Sequence, residues 1–275
     1  HYKQYCRSMA IGVRDGGEKV AGGRKLMTGA NFVYVKAVCP NVEEMKSVLG
    51  FENPKEPTSN VDKDNDGNTR VRIDMWLSRP EDDFLYRESF FITKKPVESK
   101  TGKFQYVNNY AQFCYADPTE GPTYEWYSKD GMRKAFNGEE QFMNFIRTWV
   151  NHKGGKKGDL LYLDNWDAIF AGNFSEIKDI MKMTNEGEPN RVGMLFGVRT
   201  VDVNGEEKQY QSAYRKMYVR PYQNAAVEFS KSLNSEYGGF KDEYQGSIEW
   251  KEYNPTTVTT PAGATEAGAS DTPWG

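Results

Sequence analysis

Histidine and cysteine are scarce in this sequence. Two histidines, His1 and His152, and three cysteines, Cys6, Cys39 and Cys114, are all that 275 residues contain. A zinc site would need ligands gathered from distant parts of the chain, and a histidine-based catalytic dyad has one plausible member, His152. The cysteines form no CxxC pair and an odd number cannot all pair internally, which points to a reducing compartment. Long apolar runs are missing as well. No stretch approaches the ~20 residues of a membrane span, and no signal-peptide pattern opens the chain. The expectation is a soluble, intracellular protein. An excess of positive charge is also lacking: 36 Lys and Arg against 39 Asp and Glu leave a net charge of -3. Attraction for a polyanion would have to come from a local patch.

Aromatic rings are what the chain has in quantity. Fifteen Phe, 17 Tyr and six Trp make 14% of it, although the mean hydropathy of -0.79 is strongly polar. Tyr joins a flat apolar face to a polar tip, so it suits a surface that is both wet and adhesive; aromatics also favour strands and barrel cores. The two readings stay open for any single ring.

Composition divides the chain into three. Residues 1–30 are Gly-rich and basic around Gly16, Gly17, Gly22 and Gly23, without apolar periodicity, and read as a flexible arm. Met9-Ala10-Ile11-Gly12 resembles an initiator sequence, so the natural chain is expected to start at Met9. Residues 254–275 are Thr, Ala, Gly and Pro with only Glu266 and Asp271 as charges, and read as a disordered tail ending in Trp274-Gly275. Its Trp beside an acid is either linker sequence or a hook for partner proteins.

Residues 31–253 form the folded region. Strands are expected at Phe32–Cys39, Arg70–Leu77 and Phe84–Thr93, with a hairpin or long bent strand over Lys103–Tyr115. In the second of these, Val71, Ile73, Met75 and Leu77 share one face, and Arg70, Arg72, Asp74 and Trp76 the other. Asn41 and Glu44 form a capping box on a short helix that Gly50 stops. Phe142, Phe145, Ile146, Trp149 and Val150 mark an amphipathic helix, and Ile177, Ile180 and Met181 a shorter one. Asn204-Gly205 joins strands at Arg191–Val203 and Gln209–Val219, and Pro221 opens a last helix. The fold class expected is mainly β with α insertions (α+β): an OB-like barrel core carrying several helices.

Two familiar motifs fail on inspection. Asp62 to Gly67 matches the first half of a calcium loop, but the position for the bidentate Glu is Ile73, so a polar turn is expected and no metal. Lys153, Lys156 and Lys157 lie in a Gly-containing loop without phosphate-loop spacing; they suit solvent or a phosphate backbone as mobile point charges. No nucleophile–base pair or carboxylate set stands out, so neither catalysis nor a cofactor is expected.

Rings and cations interleave in two segments. Lys100 and Lys103 precede Phe104, Tyr106 and Tyr110, and in a strand Phe104 and Tyr106 share a face. Tyr210, Tyr214, Lys216, Tyr218 and Arg220 likewise fall on one face of an extended strand. Arg72 and Trp76 on the polar side of the second strand could join them. Flat rings with cations between them meet the bases and phosphates of single-stranded DNA, at about 1–3 kcal/mol per stacked base; the opposing reading makes the rings core.

These segments, in their order, resemble the single-stranded-DNA-binding proteins of tailed phages, in particular crAss-like and other Bacteroidetes-infecting phages. The series is VYVKAVCPNVEEM behind Thr28-Gly29, then RIDMWL, KTGKFQYVNNYAQFCYA, RKAFNGEEQFMNFIRTWVN, FAGNFSEIKDI, VGMLFGVR and YQSAYRKMYVRPY, across residues 27–222. The resemblance implies an OB-fold core, coating of single-stranded DNA during phage replication and recombination in the host cytoplasm, and a C-terminal tail that recruits replication proteins. It places Lys103, Phe104, Tyr106 and Tyr110 in the groove. The tail here is only weakly acidic, and the zinc ligands of some phage relatives are absent. The other function class is a virion structural or accessory protein with an aromatic barrel core. If the chain begins at Met9, the intact mass of the natively expressed protein excludes residues 1–8; a mass that includes them refutes that start.

Overall fold

The computed structural model describes residues 29–79, 84–109, 111–122, 132–150, 163, 165–182, 184–185, 187–213 and 218. The expected tail, last helix and residues 1–28 of the expected arm lie outside them; Gly29 and Ala30, read as the end of the arm, belong to a strand.

The described chain is mainly β with a few helices. Its main sheet has seven strands in the order β12-β11-β1-β3-β4-β8, with β2 added beside β3. These strands are β1 (Gly29–Val38), β2 (Val61–Lys63), β3 (Thr69–Ser78), β4 (Leu85–Pro96), β8 (Phe136–Asn137), β11 (Val192–Val203) and β12 (Glu206–Ala213). Five short strands make two small sheets. One is β6-β5-β7, from β5 (Phe104–Val107), β6 (Phe113–Ala116) and β7 (Arg133–Lys134); the other pairs β9 (Thr184–Asn185) with β10 (Glu188–Pro189). The helices are α1 (Val42–Ser47), α2 (Glu139–Val150), α3 (Trp166–Phe170) and α4 (Ser175–Met181). None of them is long and apolar enough to cross a membrane.

Curvature starts in β1. Residues 29–33 pair with β11 and residues 34–38 with β3, and a bulge falls between Val35 and Ala37. A bulge adds a residue on one side and sharpens the local twist. It also shifts the inward face by one, so that Val33, Val35 and then Val38 are buried. The sheet therefore curls into a half-barrel.

The concave side is the core. Val71, Ile73, Met75 and Leu77 of β3 are all 0% exposed, as their alternation predicts. They meet Phe90 and Ile92 of β4, Met194 and Phe196 of β11, and the apolar stripe of α2. Phe90 touches Phe142 and Phe145 edge-on or tilted at 5.2 and 5.4 Å, while Phe84 meets Phe196 at 5.1 Å. Each such ring contributes about 1.5–3 kcal/mol by burial. Trp149 donates its indole N–H to the carbonyl of Ile180 at 3.1 Å, which ties α2 to α4.

Local chemistry sets the ends of the elements. Asn41 Oδ1 accepts from the Glu44 N–H at 2.8 Å and Glu44 Oε2 from the Asn41 N–H at 2.9 Å, the capping box read from the sequence. Asp62 to Gly67 forms the β2–β3 turn, where Asp64 Oδ1 accepts from the N–H groups of Asp66 and Asn68. The Asn68 side chain, with those backbone donors, holds the Asp64 carboxyl below its ordinary value. The segment read as a hairpin or bent strand is the β5–β6 hairpin, and Asn204-Gly205 turns β11 into β12 with φ of 59° and 85°.

Gly138, between β8 and α2, has φ +86°, and a Cβ there would lie 2.0 Å from the Phe91 carbonyl oxygen. Gly67 has a similar φ of +82° but open space around it. Urea titration of Gly138→Ala is expected to show a loss of about 2–4 kcal/mol. Gly67→Ala should lose about 1–2 kcal/mol from backbone strain alone. Equal losses would contradict the close approach.

Candidate nucleic-acid interface

Among the described residues, two surfaces set exposed or half-buried rings of the β-strands beside cations, and they include residues singled out in the sequence. The first is the convex face of β3 and β4. Register sets Arg72 opposite Phe91, Asp74 opposite Ser89 and Trp76 opposite Arg87, with Arg70 one pair further on beside Thr93. Since Phe90 faces the core, Phe91 faces out, and it is 46% exposed. The Arg70 guanidinium lies 5.8 Å from its ring centroid.

Asp74 is the fixed point of this face. It is buried, and its carboxylate accepts from Ser89 Oγ at 2.7 Å and Arg72 Nε at 3.0 Å, with Arg87 Nη1 at 3.9 Å. A buried carboxylate is tolerable only when so partnered. Arg72 also donates to Thr58 at 3.2 Å, and Arg70 makes a two-bond fork to Asp62. Every arginine on this face is thus matched to a carboxylate. Arg87 also lies 5.5 Å from the Trp76 centroid, and Phe51 meets Trp76 edge-on at 5.4 Å. Phe51 belongs, with Met45 and Leu49 around α1, to a small apolar cluster on which Trp76 packs. Lys178 fastens that helix to α4 through Glu44 at 3.0 Å.

Cys39 lies behind Asp74, whose N–H donates to the thiol sulfur at 3.3 Å. Burial first, and then the Asp74 charge, push the thiol up to about 12.

The second surface is the small sheet β6-β5-β7. A turn closed by the Ser99 N–H on the Lys103 carbonyl (2.8 Å) leaves Lys100 and Lys103 exposed. Phe104 and Tyr106 follow, half-buried, on one face of β5. Tyr106 pairs with Lys134, whose Nζ is 3.7 Å from the Phe104 centroid. The other face is anchored: Gln105 donates to Glu140 Oε2 at 2.7 Å, and Arg133 forks onto the buried Glu139, which also accepts the Phe136 N–H.

Among the residues singled out in the sequence, Arg72 and Trp76 share the first surface and Lys100, Lys103, Phe104 and Tyr106 the second. The row expected from Tyr210 to Arg220 is different at its two described members. Tyr210 is 4% exposed and so enclosed, while Tyr218 is half-buried, with its ring on Phe145 at 5.2 Å and Phe90 at 6.3 Å. Strand periodicity put them on a common face, but packing decides whether a face is open. Tyr110, Lys153, Lys156, Lys157, Tyr214, Lys216 and Arg220 lie outside the described residues. Sequence reasoning missed Phe91, Arg70, Arg87 and Lys134. The Phe90-Phe91 doublet was a usable signal, because adjacent strand residues face opposite ways. Lys134 gave none, since a two-residue strand has no period.

No family model, no curated protein and no solved structure matches the chain.

With its thiol pushed up to about 12 by burial and the Asp74 charge, half-buried Cys39 is almost wholly protonated at pH 8 and a poor nucleophile. Iodoacetamide at that pH should leave Cys39 unmodified in the native protein and modify it in urea, as peptide mass mapping will show. Rapid native alkylation would contradict the burial described.

Proposed function

We propose that this protein binds single-stranded DNA without catalysis, stacking bases on exposed rings and holding phosphates with neighbouring Lys and Arg. The observation that carries the reading is the convex β3–β4 face, where solvent-open Phe91 sits beside Arg70 and Arg72, with Trp76 and Arg87 further along the same face. An exposed phenylalanine in mid-strand, flanked by guanidinium groups, offers a base both a π-face and a cation.

Topology supports the same reading. The long strands β1, β3 and β4 run as a meander, and β11 returns through the helical region to lie beside β1. Their spatial order β11-β1-β3-β4 is that of a Greek key, and β12 adds a fifth strand next to β11. A five-stranded Greek-key barrel is the architecture of the OB-fold, which takes oligonucleotides on its second and third strands. Here those strands are β3 and β4. On this reading the chain is an OB-like barrel with insertions, the small sheet β6-β5-β7 being one of them. The resemblance to phage single-stranded-DNA-binding proteins extends the proposal to phage DNA replication and recombination in the host cell, with the C-terminal tail meeting replication proteins.

Titration with poly-dT, followed by tryptophan fluorescence, should show quenching at low salt that weakens as salt rises. Absence of binding at low salt would end the proposal and favour a structural role. Phe91→Ala and Tyr106→Ala should each weaken binding by about 1–3 kcal/mol, with circular dichroism unchanged. Loss of the fold in Tyr106→Ala would assign that ring to packing, leaving Phe91→Ala as the deciding variant.

A further inference from the structure

We infer that the small sheet β6-β5-β7 is a second contact site for single-stranded DNA, electrostatic in character, and that it carries more of the salt dependence of binding than the β3–β4 face does. The inference rests on the function proposed above and divides that function between two surfaces.

Charge pairing makes the distinction. On the β3–β4 face Arg70 is held by Asp62, and Arg72 and Arg87 converge on Asp74. Three guanidinium groups against two carboxylates leave this face a single net positive charge, so a strand crossing it gains stacking but releases few counterions. On the small sheet Lys100, Lys103 and Lys134 are exposed, and none of them pairs with a carboxylate among the described residues. Asp117, just past β6, keeps its charge while accepting from the hydroxyl and N–H of Thr119, and it acts on Lys103 from beyond ion-pair distance.

The lysines are also placed to act together with rings. Lys134 stands opposite Tyr106 and over Phe104, so that one ammonium borders two flat side chains. The platform beneath is fixed by Gln105 to α2 and by backbone bonds from Ala135 to Gln105 and from Val97 to Ala135, at 2.8 and 3.1 Å. A mobile point charge over a fixed ring meets a phosphate while a base occupies the neighbouring ring. Lys94 and Lys95, along the strand that leads there, are spent on Asp167 and Asp66.

The test is fluorescence anisotropy of the full chain with a labelled oligo-dT of about 20 nucleotides, across about 50–400 mM NaCl. The triple variant Lys100→Gln/Lys103→Gln/Lys134→Gln should flatten the slope of log K against log salt by about 2, from ~0.7 per phosphate contact on a single strand. The triple Lys→Arg variant should keep the parental slope. Phe91→Ala should lower affinity about 5- to 150-fold at every salt concentration and leave the slope unchanged. A triple Gln variant with the parental slope, or a slope that flattens in Phe91→Ala instead, overturns the division while leaving single-stranded DNA binding intact. A parental chain that does not bind at low salt overturns both.

Discussion

Nine consecutive pairs hold β3 and β4 in one register, from Arg70 opposite Thr93 to Ser78 opposite Leu85. A slip of one residue would turn Val71, Ile73, Met75 and Leu77 to solvent and drive Arg70, Arg72 and Trp76 inward. Each lost apolar side chain would forfeit about 1.5–3 kcal/mol, and each buried, unpaired arginine would cost several kcal/mol more. That penalty places Phe90 in the core and Phe91 in water. The register that secures the core therefore also sets Phe91 beside Arg70 and Arg72 on the convex face.

Curl supplies the second condition. Because β1 gives its first half to β11 and its second half to β3 across a bulge, the sheet wraps around α2 with one side concave. Helices fill the concave side, so the convex side of β3 and β4 is where a ligand has access. Part of that side is already taken. The cluster of Met45, Leu49 and Phe51 covers Trp76 from one direction, while Arg87 lies against its ring. The free portion is the end around Arg70, Arg72 and Phe91, next to the β2–β3 turn. The tight approach of Gly138 to the Phe91 carbonyl links this same position to the start of α2. Stability and exposure meet at one residue.

Much of this was legible in the sequence wherever the signal is local. The Asn41–Glu44 capping box, the 3.6-residue stripe of α2, the alternation of β3 and the Asn204-Gly205 turn depend on residues a few positions apart, and each is found in the structure. α3 escaped notice because five residues carry little more than one turn of pattern. The site was legible only by halves. Periodicity says which side chains share a face but not what covers that face, so Tyr210 was grouped with Phe104 and Tyr106 although it is enclosed, and Tyr218 although its ring packs on the core. Pairing partners were out of reach for the same reason. Lys134 meets Tyr106, and Arg87 meets Asp74, through contacts that no window of sequence contains.

A net charge of -3 argues against polyanion binding only if the charges act as one. At physiological ionic strength the Debye length is about 8 Å, so an acid two strands away is largely screened from a phosphate at the surface. What a phosphate senses is the set of charges within that distance. Asp62 and Asp74 lie beside the three β3–β4 arginines and offset all but one of their charges, and in doing so hold the guanidinium groups close to the rings. The lysines of the small sheet make no ion pair among the described residues, and Asp117 acts on Lys103 only from beyond ion-pair distance. An acidic chain arranged in this way would not accumulate polyanions from a distance, as a uniformly basic one does. It would select for exposed bases first, which duplex DNA keeps stacked and a single strand presents.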